Sequence, residues 1–295
     1  MTDPFFTVIM PTYNRAKYIK KALNSVLNQT FKSWEIIIVD NNSTDKTEEI
    51  VTNFKDKRIK FYRISNNGVI AVSRNYGIIK SSGKYLAFLD SDDWWRSSKL
   101  ELCYNEILKG KKFVYHNVKI VRRKNQFFLK NIAFFRSLNN PVYNDFIENG
   151  PAFASSSVVV EKELFKKIKY FNEDIPSNWD DFDAWIRLSK LNTEFHVINH
   201  ALGYNWVGQD SGLTPEVQIE MIFSFKKKYI DNSKTEKDYL PQWCVYALIV
   251  SNFRIKDYKN SLFFLKKIKF SKLSLFKKAK LLVLILIIYS KKILN

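Results

Sequence analysis

The N-terminal third of the chain alternates short apolar segments with segments of helical periodicity, and this alternation limits the possible folds more than any other feature. The apolar segments are nearly continuous, so both faces of each predicted strand are expected to be buried. Such strands separated by helices form βαβ units of a parallel sheet with helices on both faces. Strands are predicted at Thr7–Met10, Trp34–Val39, Ile59–Arg63 and Tyr85–Leu89. Helices are predicted at Ala16–Leu27, capped by Asn14, from the turn-rich segment Asn41–Asp45 to Val51, and at Ile70–Ile79.

Polar residues follow the predicted strands at their carboxyl ends. Thr12, Asn14 and Arg15 follow the first strand, Asp40 follows the second, and an acidic segment begins at Asp90 after the fourth. Open α/β sheets bind their ligands at this edge, which therefore becomes the candidate site. The sequence contains no Gly-x-Gly and no Gly-Lys-Ser/Thr, which argues against a dinucleotide fingerprint and a P-loop.

The segment Asp90-Ser91-Asp92-Asp93 places three carboxylates within four residues. Carboxylates this close repel one another unless a cation lies between them, and Mg²⁺ or Mn²⁺ prefers such oxygen ligands. The alternative is a solvated acidic turn before a helix that begins near Ser97. The position of the segment at the end of an apolar strand favours the metal site.

Taken together, these motifs resemble the family 2 glycosyltransferases of the GT-A fold. The resemblance runs from about residue 6 to about residue 215, and the order and spacing of the motifs make it specific. The matching segments are Val8–Arg15, Ser25–Thr30, Ile36–Asp45, Asn67-Gly68, Ser73–Gly77, Phe88–Asp93 and Trp179–Leu188. The resemblance implies a Rossmann-like, mostly parallel central sheet flanked by helices. It also implies transfer of a sugar from a nucleotide-sugar donor with inversion at the anomeric carbon.

The resemblance assigns roles to residues of the donor site. Mn²⁺ or Mg²⁺ is expected on Asp92, with Asp90 and Asp93 nearby, where it would neutralise the leaving diphosphate. The donor, expected to be a UDP-sugar, would be held by a set in which Thr12 and Asp40 contact the base and Arg74 the diphosphate. The full set is Pro11, Thr12, Tyr13, Asn14, Arg15, Asp40, Asn41, Asn67, Arg74, Asp90 and Ser91. Turn formation by Thr12 and Asp40, and a surface charge at Arg74, are the alternatives.

The acceptor hydroxyl must lose a proton as it attacks, and a carboxylate is the usual general base. Asp181 aligns with the base of the family, with Asp180 and Asp183 as fallback candidates; capping of the following helix is a compatible role for the first two. Many members of the family carry a late histidine as a further metal ligand, and this chain has none in that register. Candidate acceptor, sugar or substitute contacts are Trp94, Trp95, Ser155, Trp179, Gln209 and Asp210.

The C-terminal segment is strongly basic. The chain has a formal net charge of +19, and residues 251–295 hold twelve Lys/Arg residues and one acid, interleaved with apolar residues. This pattern predicts basic amphipathic helices lying on an anionic membrane surface. A helix packed on the protein with a solvated lysine face is the alternative. We expect no nucleic-acid binding, because no recognition module is present.

Neither a signal peptide nor a spanning helix is expected. The residues after Met1 lack the regions of a signal peptide, and the longest uncharged apolar run is Leu281–Tyr289, far shorter than the roughly 20 residues that span a bilayer. The two cysteines, Cys103 and Cys244, cannot form a disulfide framework and are expected to be reduced core residues. The expected location is the cytoplasm, peripherally on the inner face of the cell membrane.

Three regions are predicted: a nucleotide-sugar-binding half at 1–110, an acceptor-binding half at 111–215 and a helical basic extension at 216–295. The predicted function is a metal-dependent hexosyltransferase of bacterial surface polysaccharide synthesis (O-antigen, capsule or lipooligosaccharide). The expected acceptor is a glycan linked to undecaprenyl diphosphate or to lipid A-core. Two other classes stay open at this point: a sugar-nucleotide nucleotidyltransferase, and a non-enzymatic protein that binds polyanions or membranes.

Overall fold

The computed structural model describes residues 3–122, 131–133, 135–175, 179–208, 214–231 and 239–293. Within these ranges a nine-stranded sheet has the order β3-β2-β1-β4-β8-β6-β9-β5, with β7 paired to β6. The strands are β1 (Phe6–Thr12), β2 (Trp34–Asp40), β3 (Ile59–Arg63), β4 (Tyr85–Phe88), β5 (Trp94–Trp95), β6 (Phe113–Val121), β7 (Asn131–Ala133), β8 (Val159–Glu161) and β9 (Phe195–Trp206).

The first four strands form a parallel layer, as the sequence predicts. β1 lies between β2 and β4 and pairs in parallel with both, and β2 pairs in parallel with β3. Every residue of β1 and β2 is buried, which explains why both strands read as almost continuous apolar runs. Because the strands are parallel, the ends of β1, β2 and β4 lie on one edge, so Thr12, Asp40 and the acidic segment share it.

The second part of the sheet is mixed. β8 is antiparallel to β4 and to β6, whereas the long strand β9 is parallel to β6 and carries the two-residue strand β5 in an antiparallel pair. The pairing of β5 with β9 joins Trp94 to Tyr204 and Trp95 to Gly203. The chain just after the acidic segment is therefore hydrogen-bonded to the end of β9, which lies more than a hundred residues away in sequence.

Helices pack on the sheet, and the main apolar core lies between these helices and the strands. Apolar side chains of the parallel strands pack with Ile19, Leu23 and Val26 of the first helix and with Leu100 and Cys103 of the fourth. The helices before β9 are α1 (Ile19–Leu27), α2 (Thr47–Thr52), α3 (Ile70–Lys80), α4 (Lys99–Leu108), α5 (Val142–Asn149), α6 (Lys162–Lys167) and α7 (Asp180–Ser189). All of them except α5 belong to the same compact unit as the sheet. A mostly parallel sheet in the first part of the chain, flanked by helices, is the architecture that the sequence predicts.

The chain forms two compact units. One comprises Met1–Tyr143 with Pro151–Ser211, and the other comprises Asn144–Gly150 with Gly212–Asn295. The second unit is helical in its described residues: α8 (Pro215–Phe225), a π-helical segment at Lys226–Ile230, α9 (Gln242–Arg254), α10 (Tyr258–Leu265), a 3₁₀ turn at Phe270–Lys272 and α11 (Leu275–Ile293). The finer division of the first unit at residue 110 stays a prediction.

The second unit has its own apolar cluster. Val245 and Ile249 of α9 pack there with Leu281 and Leu284 of α11. Gly150 lies against the Trp243 ring so closely that a Cβ would approach the ring to 2.7 Å, and its φ of 75° also favours glycine. None of the helices in the described parts of the chain is long and apolar enough to cross a membrane.

Two local predictions need comment. The first helix begins at Ile19 rather than Ala16, and Asn14 does not cap it: the N-cap residue is Tyr18, and Asn14 has a left-handed backbone with φ 50°. Asn14 instead joins two loops, as described below. The alternating pattern of Gln126–Ile132 also predicts a strand. Asn131 and Ile132 of this segment lie in β7, and 126–130 lie outside the described residues.

Candidate active site

The loops after β1 and β2 are tied together by side chains of turn-forming residues. The Asn14 N–H donates to Ser43 Oγ at 2.8 Å, and the Thr44 N–H donates to Asn14 Oδ1 at the same distance. The Ala16 N–H donates to Asp45 Oδ2 at 3.0 Å. These hydrogen bonds join segments about thirty residues apart and give the carboxyl edge of the sheet a fixed shape.

Thr12 and Asp40 differ in their capacity to bind a ligand. Thr12 Oγ1 is buried and has no hydrogen-bond partner among the described residues, so a ligand atom at this edge could satisfy it. The Asp40 carboxylate is fully buried and accepts hydrogen bonds from the Ser43 N–H at 2.8 Å and from the Ser43 hydroxyl. The geometry therefore places Asp40 in turn formation, which was the alternative to its predicted contact with the base.

The remaining predicted donor contacts line the same edge with different exposure. Tyr13 is about half exposed, whereas Pro11 and Ser91 are buried. Asn41 Oδ1 accepts from the Asn66 N–H at 2.8 Å, and Asn67 lies in a left-handed turn with φ 51°. Asn41 is thus a structural partner of the loop before α3, and Tyr13 and Asn67 are the exposed residues among these five.

Asp90 and Asp92 are the two acidic-segment carboxylates that fit a divalent cation. Asp92 faces Arg15, whose Nε lies 3.6 Å from Asp92 Oδ2. Burial, followed by the charge of Asp90, raises the pKa of Asp92 to about 6, although Arg15 opposes the shift. A cation would relieve this repulsion, and Mg²⁺ sites commonly use one or two carboxylates together with substrate phosphates.

Asp93 is the third carboxylate predicted near the cation, and burial, followed by the charges of Asp90 and Asp92, raises its pKa well above the usual value. Its role at a metal stays a prediction. Asp93 is buried, and its oxygens accept hydrogen bonds from Asn205 Nδ2 at 2.9 Å and from the Trp206 N–H at 2.8 Å. Asp93 therefore anchors the acidic segment to the end of β9. In the described part of the chain, no group of three or more acidic, histidine or cysteine side chains comes together as a metal cluster.

Ser156 is a supporting residue that the sequence interpretation missed. Its hydroxyl accepts a hydrogen bond from the Asp90 N–H at 3.0 Å, and its carbonyl accepts one from Trp95 Nε1 at 2.8 Å. The sequence signal for it is the Ser155-Ser156-Ser157 run before β8, in which only Ser155 is predicted as a site residue. Ser155 is also buried, and its Oγ lacks a hydrogen-bond partner among the described residues.

Arg74 connects the acidic segment to the start of α7. One guanidinium nitrogen, Nη2, lies 3.0 Å from Asp90 Oδ1, and the other, Nη1, lies 2.6 Å from Asp180 Oδ2. The side chain is only 6% exposed, so the alternative of a surface helix charge is wrong. Burial opposes its charge, but the two carboxylates outweigh that effect and raise the Arg74 pKa above its usual value. Arg74 Nε is buried without a partner among the described residues.

The three candidate bases separate clearly by their partners. Asp180 is buried against Arg74, and Asp183 is fully buried and accepts from Arg187 Nε at 2.7 Å, which argues against both fallback candidates. Asp181 is half-buried, and only its Oδ1 has a described hydrogen bond, from the Phe182 N–H at 2.7 Å. Burial, followed by the charge of Asp180, raises the pKa of Asp181 to about 7, which suits a general base at neutral pH.

The aromatic candidates are largely enclosed by this chain's own side chains. Trp179 and Trp95 are buried. The Trp94 ring stacks on Tyr204 at 5.1 Å between centroids, and Lys21 Nζ lies 3.1 Å from its centroid. Both faces of Trp94 are thus covered, so the predicted stacking of a sugar on either residue of the Trp94-Trp95 pair lacks support here. Gln209 and Asp210, predicted as substitute contacts, lie outside the described residues.

A protein-family comparison agrees with this fold and arrangement. The family model of glycosyl transferase family 2 matches residues 7–168, which is more than half of the chain. The chain therefore belongs to glycosyl transferase family 2 and is a glycosyltransferase.

Curated relatives come from several bacteria and from the archaeon Methanocaldococcus jannaschii. The chain is 27% identical over 268 residues, covering 88% of this chain and 99% of the relative, to the Escherichia coli UDP-Glc:alpha-D-GlcNAc-diphosphoundecaprenol beta-1,3-glucosyltransferase WfgD. It is 44% identical over 100 residues to TuaG of Bacillus subtilis, a glycosyltransferase named for teichuronic acid biosynthesis, covering 33% of this chain and 40% of TuaG. The chain spans less than two thirds of the length of several of these relatives.

Solved structures show the same fold. S. aureus TarS in complex with UDP-GlcNAc has a TM-score of 0.60 at 23% identity, covering 90% of this chain and 77% of TarS. The mannosyltransferase PcManGT of Pyrobaculum calidifontis, in complex with GDP-Man and Mn²⁺, has a TM-score of 0.59 at 17% identity, covering 96% and 79% of the two chains. At these identities the likeness establishes the fold alone.

Proposed function

We propose that the chain is a divalent-metal-dependent, inverting hexosyltransferase that moves a sugar from a UDP-sugar to a hydroxyl of a lipid-linked glycan. The arrangement around Arg74 carries this proposal. The buried Arg74 guanidinium connects the acidic segment, through Asp90, to the helix that bears the candidate base, through Asp180. Relatives named for undecaprenol-linked and cell-surface acceptors support the acceptor class and a role in bacterial surface polysaccharide synthesis.

The donor lies along the carboxyl edge of the sheet in this proposal. Thr12 offers its hydroxyl, which has no partner among the described residues, to the nucleoside. Asp90 and Asp92 would hold Mn²⁺ or Mg²⁺. The bound cation would neutralise the charge that develops on the leaving diphosphate. Arg15, the ion-pair partner of Asp92, adds a positive charge beside the same group and can turn toward the diphosphate.

Asp181 takes the proton of the acceptor hydroxyl. The hydroxyl oxygen forms a bond to the anomeric carbon as the bond from that carbon to the diphosphate breaks, and the bonding electron pair leaves with UDP. The Phe182 N–H holds Asp181 Oδ1, so Oδ2 is the oxygen proposed to receive the proton. A single displacement of this kind inverts the configuration at the anomeric carbon.

Product analysis with the purified full chain tests this function. We expect Mn²⁺-dependent release of UDP from one member of a UDP-hexose panel when an undecaprenyl-diphosphate-linked saccharide is present, with an inverted linkage in the product. Release of diphosphate from a nucleoside triphosphate instead would identify a nucleotidyltransferase. No turnover of any donor, in a folded sample that also binds no nucleotide, would contradict the proposal.

The proposed location is the inner face of the cell membrane, with peripheral attachment. A lipid-linked acceptor resides there, and the strongly basic C-terminal segment has the charge that an anionic membrane surface attracts. The attachment is a separate proposal from the chemistry.

A further inference from the structure

Helix α11 has two apolar faces. Leu281, Leu284 and Ile288 are buried, and the first two pack in the apolar cluster of the second unit. With 100° between successive residues, these three positions lie on one side of the helix. This buried face agrees with one part of the alternative stated above for the basic segment, namely a helix packed on the protein.

The opposite face of α11 is also apolar, but it is exposed. The outward face, as we call it, comprises Leu275, Phe276, Leu282, Val283 and Leu286. Phe276 is 79% exposed and Leu286 is 69% exposed. The packed-helix alternative predicted a solvated lysine face at this place. Instead, large apolar side chains point away from the second unit.

Positive charge borders the outward face on both sides. At helical spacing, Lys278 lies along one edge of this face and Lys280 along the other. From Tyr258 to Asn295 the sequence contains ten lysines and no acidic residue. An apolar stripe with lysines at its edges is the pattern of a helix that lies in the interface of a bilayer, not across it.

The positive charge beside the outward face also indicates which kind of partner binds it. A second copy of this chain would bring the same lysines to the contact, and no nearby acid in this segment would pair with them. A nucleic acid would match the lysines but would leave the apolar stripe in water. An anionic bilayer satisfies both features, because its headgroups attract the lysines and its acyl region accepts the apolar side chains.

We propose that the outward face of α11 docks on an anionic membrane, with the helix axis parallel to the surface. Phe276, Leu282 and Leu286 enter the boundary between headgroups and acyl chains, and Lys278 and Lys280 contact the headgroups. The physiological purpose, access to a lipid-linked acceptor, rests on the proposed function. The docking itself does not, since it can be measured without any turnover.

Vesicle binding by the full chain tests this proposal. The outward-face variant carries Phe276→Ser, Leu282→Ser and Leu286→Ser, and the matched control carries Ile79→Ser, Leu108→Ser and Leu191→Ser, which replace exposed apolar residues of the first unit. On phosphatidylcholine vesicles containing phosphatidylglycerol, we expect the outward-face variant to bind at least about a hundredfold more weakly than the wild type. The control variant should bind as the wild type does.

A charge variant separates the two contributions. Lys278→Gln with Lys280→Gln should weaken binding to the phosphatidylglycerol vesicles by about fivefold for each lysine, and should leave binding to pure phosphatidylcholine unchanged. The outward-face and control variants should keep the wild-type melting temperature, because the replaced side chains are exposed. Wild-type binding by the outward-face variant would overturn the proposal. So would a wild-type dimer that the outward-face variant abolishes, which would make this face a self-association surface.

Failure of docking and failure of the proposed function are distinguishable. Vesicle binding through α11 by a protein that neither binds nor turns over a nucleotide sugar would overturn the function and leave the docking intact. If the protein binds nucleotide in a metal-dependent way but its outward-face variant still binds vesicles, the docking is overturned and the proposed function stands.

Discussion

The Asp181→Asn variant should transfer sugar about 10²–10⁴-fold more slowly than the wild type, with nearly unchanged affinity for the donor nucleotide. An amide at this position keeps the shape of the side chain and can still be held by the Phe182 N–H. It cannot accept the proton of the attacking hydroxyl. The measurement is kcat with saturating donor, together with the nucleotide dissociation constant. A variant with wild-type kcat would remove Asp181 from the chemistry.

The pH dependence of the wild-type enzyme provides the control for this prediction. A base must be deprotonated to act, and the pKa of Asp181 is raised to about 7. Therefore kcat/KM, which reports the free enzyme, should rise as pH increases toward 7 and level off above it. The residual activity of Asp181→Asn should lack this rise. If kcat/KM of Asp181→Asn still rose toward pH 7 as in the wild type, the titrating group would be another residue. The Asp183→Asn variant, by contrast, should keep the rise of kcat/KM toward pH 7, because Asp183 is paired with Arg187 and is not the proposed base.

The Arg74→Ala variant should lose about 3–5 kcal/mol of unfolding free energy, as is usual when one partner of a buried ion pair is removed. It leaves Asp180 buried without its counter-charge and deprives Asp90 of its Nη2 contact. The loss should shift the denaturant midpoint of the first unit and raise KM for the donor, since the acidic segment would no longer be held. Chemical unfolding of the wild type and the variant measures the first effect.

An exposed ion pair provides the comparison for Arg74. Lys166 and Glu163 form a 2.6 Å contact on α6 and are both about half exposed. Lys166→Ala should leave the denaturant midpoint nearly unchanged, since exposed pairs contribute little. Equal losses in the two variants would show that the Arg74 bridge is not a special element of the fold.

The sequence predicts the parallel part of the sheet well, because that part depends on local patterns. Strands buried on both faces read as apolar runs, as in β2 and β4, and helices alternate with them. The position of Thr12, Asp40 and Asp90 at one edge then follows from parallel topology alone. The mixed part, with β9 parallel to β6, depends on long-range pairing that no local pattern specifies.

Individual site roles were less predictable than the location of the site. Asp90, Asp92 and Asp93 look alike in sequence, but β9 reaches Asp93 from more than a hundred residues away and converts it into an anchor. In the same way, Asp180 and Asp181 are adjacent in sequence, but Asp180 pairs with Arg74 whereas Asp181 is held by the Phe182 N–H. Such assignments require the partners of each side chain, and those partners come from distant segments.

Thermal unfolding with nucleoside diphosphates tests the central claim, a metal-dependent nucleotide site at the carboxyl edge of the sheet. With Mn²⁺ present, UDP at about 100 times its dissociation constant should stabilise the wild type by about 2.7 kcal/mol, a shift of several degrees. The shift should vanish without metal and in Asp92→Asn, and should persist in Glu48→Gln, which alters an exposed acid paired with Arg63. An equal shift in Asp92→Asn, or no shift with any nucleotide in a folded wild type, would contradict the account.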